Sequence, residues 1–309
     1  MRVFVTGATG WVGSAVIPEL LAHGHTVLGL SRNEENAKKL AAAGVEAHPG
    51  SIDDVESLRL GAASCDGTIH LAFNHDFANF QASCATDRLL IQTIGDVYAG
   101  TNKPLVVSSG TLGLSSTAAT AAATEDEVGA PEGMLALRQG SEVLAISLAE
   151  RGVRSTVIRL SPTVHGPGDK GFIASIVGIA RKNGFSAYIG EGASRWPAVY
   201  RTDAARLYRL ALEKGKAGTR YHATGDQEVS TKAIAEAIGK GLGVPVVSKS
   251  PEEAGALFGF LGFALARDNP TSSEKTRKEL GWVPEGPGLI ADIAEGHYFD
   301  ESVKGKYVL

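Results

Sequence analysis

Three glycines spaced three residues apart could hold an anion near the start of the chain. They lie in Thr6–Gly13, which has the sequence TGATGWVG, between a short apolar stretch, Arg2–Thr6, and an apolar helical stretch, Ser14–Ala22. The glycines are Gly7, Gly10 and Gly13. Such glycines allow a tight turn, a close approach of backbone N–H groups to a ligand, and close packing of helix on strand. Because a helix N-terminus carries free N–H groups and partial positive charge, this corner predicts a site for the pyrophosphate of a dinucleotide. The alternative is a glycine turn with a structural role only.

The residues at the end of the next predicted strand, Thr26–Leu30, indicate which dinucleotide binds. NAD-binding chains commonly have a carboxylate there, which binds the ribose 2′-hydroxyl. This chain has no Asp or Glu at positions 30–32 and has Ser31 and Arg32 instead. A serine hydroxyl donates a hydrogen bond and an arginine pairs with a 2′-phosphate, so the two residues favour NADP(H). The alternative for Arg32 is a solvated surface side chain.

Apolar stretches that alternate with helical patterns predict the elements that position these residues. The predicted strands are Arg2–Thr6, Thr26–Leu30, Val45–His48, Thr68–Ala72, Leu105–Val107 and Ser155–Leu160. The predicted helices between them include Ser14–Ala22, Asn33–Ala43, Gln81–Gly100 and Gly133–Arg151. This alternation predicts an α/β fold with a parallel, right-handed, doubly wound sheet. Pro18 predicts a kink in the first helix.

The second half of the chain is predicted to be mainly helical. Its predicted helices are Phe172–Lys182, Asp203–Lys214, Thr231–Leu242, Glu252–Phe263 and Ser273–Leu280, and Arg220–Thr224 is a predicted strand that rejoins the main sheet. Asp203 is expected to cap the helix that follows it. The aromatic run Phe258–Phe263 predicts core packing or a dimer contact. The small, polar stretch Ser115–Thr124 predicts a mobile loop, either a flap over the cofactor or a variable loop.

The motif TGATGWVG resembles the cofactor motif of the extended short-chain dehydrogenase/reductases, in their NAD(P)-dependent epimerase/dehydratase-like branch. Later segments resemble the family in the same order: Gly50–Asp54, with Ser51 in place of the first acid of a G-D-x-x-D loop; His70–Ala72; the serine pair in Val107–Gly110; and Thr163–Gly168, which resembles a V-Y-G-P-G turn with His165 where tyrosine is usual. The resemblance implies a Rossmann sheet, a smaller C-terminal substrate lobe and a nicotinamide cofactor. The NADP-binding Rossmann domain is predicted at 1–166, with 196–225 returning to it. The substrate-binding lobe is predicted mainly at 167–195 and 226–309.

The motif and the resemblance together predict the residues that contact NADP(H). They are Gly7, Thr9, Gly10, Trp11, Val12, Gly13, Ser31, Arg32, Ser51, Ile52, Leu71, Ala72, Phe73, Ser108, Arg138, Pro162 and Thr163. The backbone of His70–Ala72 would line the cofactor, whereas the His70 side chain is predicted to pack inside the sheet.

The resemblance also implies a catalytic set of serine or threonine, tyrosine and lysine. In that set the serine hydroxyl polarises a carbonyl, the tyrosine donates the proton, and the lysine holds the ribose and lowers the pKa of the tyrosine. Ser109 matches the serine of the serine pair, and Thr111 is close enough to substitute for it.

The Tyr-x-x-x-Lys part of that set is missing. In the family a glutamate lies four residues after the lysine, and an arginine on the next strand lies seventeen further on. Glu142 and Arg159 have that separation, which places Arg138 at the lysine position and Met134 at the tyrosine position. There is no tyrosine from residue 99 to residue 187, so the usual proton donor is absent.

Three hypotheses accommodate this absence. In the first, another group donates the proton: His165, Tyr200, Tyr188, or a water held by Ser109 and Arg138. Imidazole is the side chain best suited to transfer a proton near neutral pH, and His165 follows the sixth predicted strand, which makes it the leading candidate side chain. In the second, the substrate is an imine or an activated alkene that needs little acid assistance. In the third, the protein binds NADP without turnover and acts as a sensor.

The first hypothesis predicts a reductase or dehydrogenase acting on a small, rather apolar carbonyl or alcohol. The candidate catalytic residues are Ser109, Thr111, Arg138 and His165. The candidate substrate contacts are Met134, His165, Phe172, Tyr188, Trp196 and Tyr200. The aromatic residues among these are as readily ordinary core residues.

Composition limits the other function classes. The 309 residues carry a net charge of −4 and are 43% hydrophobic, which favours neither nucleic acid nor an anionic membrane as a partner. No apolar run reaches the roughly 18–20 residues of a membrane span, and the chain begins directly with a predicted core strand. The two cysteines, Cys65 and Cys84, form no C-x-x-C pair, and the histidines are scattered, so no metal site is predicted. We expect a reduced, cytoplasmic protein that works on a small molecule, with a homodimer as an open expectation.

Overall fold

The computed structural model describes residues 1–76, 79–114, 121–129 and 133–306. Its strands, numbered in chain order, are β1 Arg2–Thr6, β2 Thr26–Ser31, β3 Glu46–Pro49, β4 Gly67–His70, β5 Pro104–Gly110, β6 Arg154–Leu160, β7 Thr163–His165, β8 Ser186–Ile189, β9 Arg195–Tyr200, β10 Thr219–Ala223, β11 Asp226–Ser230 and β12 Val246–Lys249. Its α-helices are α1 Gly13–Ala22, α2 Glu34–Ala42, α3 Val55–Ala63, α4 Phe80–Tyr98, α5 Met134–Ser147, α6 Phe172–Asn183, α7 Arg201–Lys214, α8 Thr231–Leu242, α9 Pro251–Phe258, α10 Phe260–Leu265, α11 Glu274–Leu280 and α12 Leu289–Ala294.

The main sheet confirms the predicted doubly wound parallel fold. Within the described part of the chain it has seven strands in the order β10-β6-β5-β4-β1-β2-β3, and every adjacent pair is parallel. β10 pairs with β6, so the strand predicted near 220 does rejoin this sheet. The order reverses between β1 and β4, which opens a crevice at the carboxyl ends of these strands.

Each face of the sheet is covered by helices because its strands are apolar on both sides. In β1, Val3, Phe4 and Val5 are fully buried. One core packs α1 and α7 against the sheet, and another packs α3, α4 and α5 against the opposite face. A third core lies in the C-terminal part, where α6, α8, α9, α10 and α12 pack together with Trp196.

A small three-stranded sheet connects these regions. β9 lies in its middle, with β7 parallel on one side and β11 antiparallel on the other. β7 leads the chain out of the main sheet and β9 leads it back into α7. A second pairing, β8 with β12, lies in the C-terminal part.

Three local predictions need correction. The single helix predicted at Glu252–Phe263 is two helices, because Gly259 has a φ of +55° and breaks the hydrogen-bonded run. Thr163–His165, predicted as a turn, forms strand β7. Asp203 does not cap α7, which begins at Arg201; its buried carboxylate instead accepts hydrogen bonds from the backbone of Glu285 and Gly286.

Other local predictions have mixed outcomes. α1 continues through Pro18. In the aromatic run, Phe258 is buried, whereas Phe263 is 46% exposed. Residues 115–120 of the predicted loop lie outside the described residues, whereas Ala123 is bonded to the backbone of Pro270 and Ser272. No helix among the described residues is long and apolar enough to cross a membrane.

Candidate functional site

β1 leads directly into the glycine turn, where close contacts exclude a Cβ at Gly7 and Gly13 and leave little room for one at Gly10. Gly7 has a φ of +65°, and a Cβ there would lie 2.8 Å from the backbone nitrogen of Ala72. A Cβ on Gly13 would overlap the carbonyl oxygen of Gly7, and one on Gly10 would lie 3.0 Å from that oxygen. The Gly10 N–H donates a hydrogen bond to the same oxygen over 2.9 Å and closes the turn. Side chains at these positions would therefore push the turn away from the sheet or from α1.

The open N-terminus of α1 fits a phosphate group. Val12 is its N-cap residue, and no side chain caps the helix. Among the described residues, none accepts a hydrogen bond from the backbone N–H groups of Trp11, Val12 or Gly13. Since the helix dipole adds partial positive charge at these donors, the turn suits the pyrophosphate expected from the sequence.

Trp11 anchors the turn to two later elements. Its indole N–H donates to the carbonyl oxygen of Val164 over 2.8 Å. The guanidinium carbon of Arg201 lies 4.0 Å from the centre of the Trp11 ring. Arg201 also donates to the Trp11 carbonyl over 2.8 Å and to the Ser14 hydroxyl over 2.6 Å. The turn is therefore held from β7 and from the start of α7.

The end of β2 gives Ser31 and Arg32 different roles. Ser31 is buried, and its hydroxyl donates to the carbonyl oxygen of Asn33 over 2.9 Å. Arg32 is exposed. Asn33 caps α2 through a hydrogen bond that its side chain accepts from the Asn36 N–H. The side chain that extends from this strand end toward solvent is thus Arg32.

The two serines at the end of β5 also differ. The Ser108 hydroxyl accepts a hydrogen bond from the Tyr208 hydroxyl over 2.8 Å and donates to the His70 carbonyl over 2.9 Å. Ser109 is half-buried, and no described residue hydrogen-bonds its hydroxyl. Ser108 therefore fastens β5 to β4 and α7, while the Ser109 hydroxyl remains available to a ligand.

The Thr111 hydroxyl makes a structural hydrogen bond and is not available to a ligand. It is fully buried, and its hydroxyl donates to the side-chain oxygen of Asn269 over 3.3 Å. The Asn269 amide donates in turn to the carbonyl oxygens of Thr111 and Leu114. The prediction that Thr111 could take the place of Ser109 is therefore corrected, because its hydroxyl is used to hold the loop after β5.

Arg138 extends from α5 to the same strand end. Its guanidinium forms an ion pair with Asp87 on α4 and donates to the Ser108 carbonyl over 2.7 Å. The guanidinium carbon lies 4.2 Å from the centre of the Phe73 ring. The side chain is 18% exposed, so a cation is fixed at the Ser108 carbonyl, one residue before Ser109, with part of its surface accessible.

Asp87 and His70 form a cluster with Arg138 near the ends of β4 and β5. Asp87 is 2% exposed, and its Oδ1 lies 3.4 Å from the Nε2 of His70. Burial raises the pKa of the Asp87 carboxyl, but the His70 ring N–H and the Arg138 charge outweigh burial and hold this pKa at about 2. The carboxyl is therefore ionised at neutral pH, and His70 is a packed residue, as predicted.

These features match a known family. Residues 3–224 match the model of the NAD dependent epimerase/dehydratase family. The chain belongs to this family.

Relatives and solved structures agree with the family. An uncharacterized protein of Schizosaccharomyces pombe is 48% identical over 300 residues, which cover 97% of this chain and 100% of the relative. The decarboxylating sterol-4-alpha-carboxylate 3-dehydrogenase of Dictyostelium discoideum is 26% identical over 240 residues, covering 74% of this chain and 72% of that enzyme. The dTDP-glucose 4,6-dehydratase DesIV of Streptomyces venezuelae, solved with NAD and TYD bound, has a TM-score of 0.78 at 22% identity over 98% of both chains. This last likeness shows the shared fold.

Glu142 and Arg159, whose separation was used to place the missing motif of the epimerase/dehydratase family, contact each other directly. The Arg159 Nε donates to the Glu142 carboxylate over 3.0 Å, and both side chains are buried. α5 begins at Met134, whose side chain lies outside what the structure describes.

The other predicted cofactor contacts of this epimerase/dehydratase chain lie around the same crevice. The backbone N–H groups of Leu71 and Ala72 donate to the Thr6 hydroxyl over 3.2 Å each. Thr163 is 2% exposed, and its hydroxyl has no hydrogen-bond partner among the described residues. A buried hydroxyl without a partner is unusual and fits a group that a bound ligand would satisfy. The half-buried residues among these contacts are Thr9, Ser51, Ile52, Leu71, Ala72, Phe73 and Pro162.

His165 is placed differently from the prediction. It is 1% exposed, its Nδ1 lies 2.9 Å from the Asp292 carboxylate, and its ring packs edge-on against Tyr200. Asp292 also contacts His297. Within the described residues, the His165 ring thus contacts β9 and α12, and it forms no hydrogen bond with Ser109 or Arg138.

The predicted aromatic substrate contacts separate into two groups. Trp196 is fully buried and donates its indole N–H to the Ala264 carbonyl. Its prediction as a pocket wall is therefore corrected, since it belongs to the C-terminal core. Phe172, Tyr188 and Tyr200 are half-buried, and Phe172 packs against Trp196 with 5.8 Å between ring centres.

The sequence reasoning missed Asp87, Arg201 and Asn269. Asp87 acts on Arg138 from 51 residues away, and Arg201 contacts Trp11 from 190 residues away. No local spacing links such residues. The available signal was a single acidic residue at helical spacing from Ser83, Cys84 and Leu90, on the face of α4 that is buried.

Proposed function

We propose that this protein is an NADP(H)-dependent oxidoreductase that reduces a small carbonyl compound or oxidises the corresponding alcohol. The observation that carries the proposal is the half-buried Ser109 hydroxyl, without a partner among the described residues, at the strand end where the Arg138 guanidinium binds the carbonyl oxygen of the preceding residue, Ser108. A hydroxyl donor beside a fixed positive charge suits an oxygen atom that gains negative charge during reaction. The family and the dehydrogenase relative support this class of reaction.

The residues around the crevice suit a nicotinamide dinucleotide. The glycine turn would bind its pyrophosphate, Arg32 its 2′-phosphate, and Arg138 and Thr163 groups nearer the reacting end. When bound, such a cofactor supplies or accepts a hydride. The arginine at the end of β2, with no carboxylate in its place, favours the phosphorylated form.

The proton requires a source other than tyrosine. Met134 has no proton to donate, and the pKa of an arginine is too high for proton transfer near neutral pH. We favour a water held between the Ser109 hydroxyl and the accessible part of Arg138 over His165, because His165 is buried and paired with Asp292. Ser109 would then donate a hydrogen bond to the carbonyl oxygen, and the water would transfer a proton to that oxygen and regain one from solvent.

The second candidate is an NADP-binding sensor that does not turn over. Met134 at the position where the family has tyrosine favours it. An imine or activated-alkene substrate is a variant of the first proposal that removes the demand for a strong acid. We also propose that the protein works in the cytoplasm on a small molecule; the homodimer remains a prediction.

The proposal is tested by oxidation of NADPH against a panel of carbonyls, imines and activated alkenes. Ser109→Ala should lower kcat by about 10²- to 10³-fold, the usual cost of removing one oxyanion donor, with NADPH affinity unchanged. Ser147→Ala is the matched control, because Ser147 is exposed on α5 and its hydroxyl donates to the Leu144 carbonyl of the same helix. Saturable NADPH binding with no turnover on any panel member would favour the sensor. Full turnover in Ser109→Ala would refute the role of Ser109.

A further inference from the structure

Asp87 is a buried carboxylate to which the proposed reaction assigns no part. It lies within α4 and is 2% exposed. A buried charge without partners is costly, so its partners indicate its role. They are Arg138, through an ion pair to Oδ2, and His70, with Nε2 3.4 Å from Oδ1.

Hydrogen bonds fix the orientation of His70. The Thr6 oxygen accepts from the N–H groups of Leu71 and Ala72. Its own proton is then available for the Nδ1 of His70, 2.8 Å away. An Nδ1 that accepts places the ring proton on Nε2, which faces Asp87. Asp87 therefore faces two donors, one from β4 and one from α5.

Three contacts hold the Arg138 guanidinium in place. Asp87 binds one terminal nitrogen, the Ser108 carbonyl accepts from the other over 2.7 Å, and the Phe73 ring covers one face at 4.2 Å. A planar guanidinium satisfies all three contacts at once, whereas the single ammonium of a lysine does not. Asp87 sets the direction in which the remaining edge of the guanidinium points.

We propose that Asp87 is a positioning residue that aligns Arg138 for the cofactor. This rests on the proposed function, in which Arg138 contacts bound NADP(H). Asp87 itself contacts no ligand. It orients the Arg138 guanidinium and balances its positive charge at the strand ends. Affinity for the cofactor should then depend on Asp87 only while Arg138 is present.

The test is a double-mutant cycle on NADPH affinity, measured by fluorescence titration without substrate. Asp87→Asn should weaken NADPH binding about 10-fold, because a charge-assisted contact that orients Arg138 is lost. Arg138→Met should weaken it at least as much, and Asp87→Asn should add nothing in that background. Asp96→Asn is the matched control: Asp96 is an exposed residue on the same helix, paired with Arg151, and its loss should leave affinity unchanged.

Each outcome separates the inference from the function on which it rests. Unchanged affinity in Arg138→Met would refute the cofactor role of Arg138. Weakened binding in Arg138→Met with normal binding in Asp87→Asn would overturn the role of Asp87 alone, as would equal effects of Asp87→Asn with and without Arg138. If Asp87→Asn fails to fold, Arg138→Lys tests the proposal instead. Lysine keeps a positive charge near Asp87 but lacks the planar guanidinium that Asp87 would orient. NADPH affinity equal to that of the wild type would then overturn the proposal.

Discussion

At the residue scale, we expect cofactor preference to depend on Arg32, an exposed cation at the end of β2. The neighbouring Ser31 hydroxyl is already used by the Asn33 carbonyl. A hydrogen bond to a charged group is worth about 1.5–3 kcal/mol. Arg32→Ala should therefore weaken NADPH binding roughly 10- to 150-fold and leave NADH binding nearly unchanged.

Fluorescence titration of both cofactors measures this difference. Lys38→Ala is a suitable control, because Lys38 is an exposed cation on the adjacent α2 and pairs with Glu34. An equal loss for NADPH and NADH would mean that Arg32 acts on the fold of the strand end and not on the 2′-phosphate.

Single residues also show which features of the site could be predicted from the sequence and which could not. The difference between Ser108 and Ser109 was invisible, because it depends on Tyr208 from α7 and the His70 carbonyl from β4. The same holds for Thr111, whose partner Asn269 lies 158 residues away. Residue type indicated which groups could do chemistry, and long-range contacts decided which of them are free.

At the scale of elements, the glycine turn packs so closely against α1 that it leaves no space for a side chain at Gly13. A Cβ on Gly13 would meet the carbonyl oxygens of Gly7 and Ala8. Gly13→Ala should therefore separate α1 from the turn, and NADPH binding should fall by at least about 10-fold, since the helix N-terminus supplies the phosphate donors.

Gly255→Ala controls for a change of glycine to alanine in a helix. Gly255 lies in α9, and a Cβ added there would meet no neighbouring atom of the described residues within 4 Å. Alanine should therefore raise stability by about 0.5–1 kcal/mol. NADPH titration and thermal melting of both variants make the comparison. Normal NADPH binding in Gly13→Ala would contradict this prediction, because it would mean that the turn and α1 can separate without loss of the phosphate site.

Element prediction succeeded where patterns are local and failed where single residues interrupt them. The alternation of apolar strands and helices predicts the main sheet because β1, β4 and β5 are buried on both faces. The break at Gly259 was missed because the apolar pattern of Phe258–Phe263 continues across it. Strand β7 was missed because its three residues form a strand only through pairing with β9.

At the scale of the whole molecule, the buried carboxylate of Asp87 should contribute to the loss of stability in acid. The folded pKa of Asp87 is about 2, against an ordinary value of 3.8. A lowered folded pKa stabilises the protein above the unfolded value, and that contribution is lost as the pH falls from about 4 towards 2. For Asp87 it amounts to about 2 kcal/mol.

Unfolding by urea between pH 2 and pH 6 measures this loss. Asp87→Asn should be less stable than the wild type at pH 6, and the difference should shrink as the pH falls through this window. The exposed Asp96→Asn should follow the wild-type curve. A constant difference across the range would mean that Asp87 contributes through packing and not through its charge.

The three-stranded sheet of β7, β9 and β11 also decides where the protein could be divided. A fragment ending at residue 166 would keep β7 but lose its partner β9. It would also lose α7, whose Leu207, Tyr208 and Leu212 cover one face of the main sheet, and β10 at the sheet edge. The two halves of the chain are thus interleaved, and the proposed substrate-binding lobe, mainly 167–195 and 226–309, could be exchanged between relatives only by replacing two separate segments together.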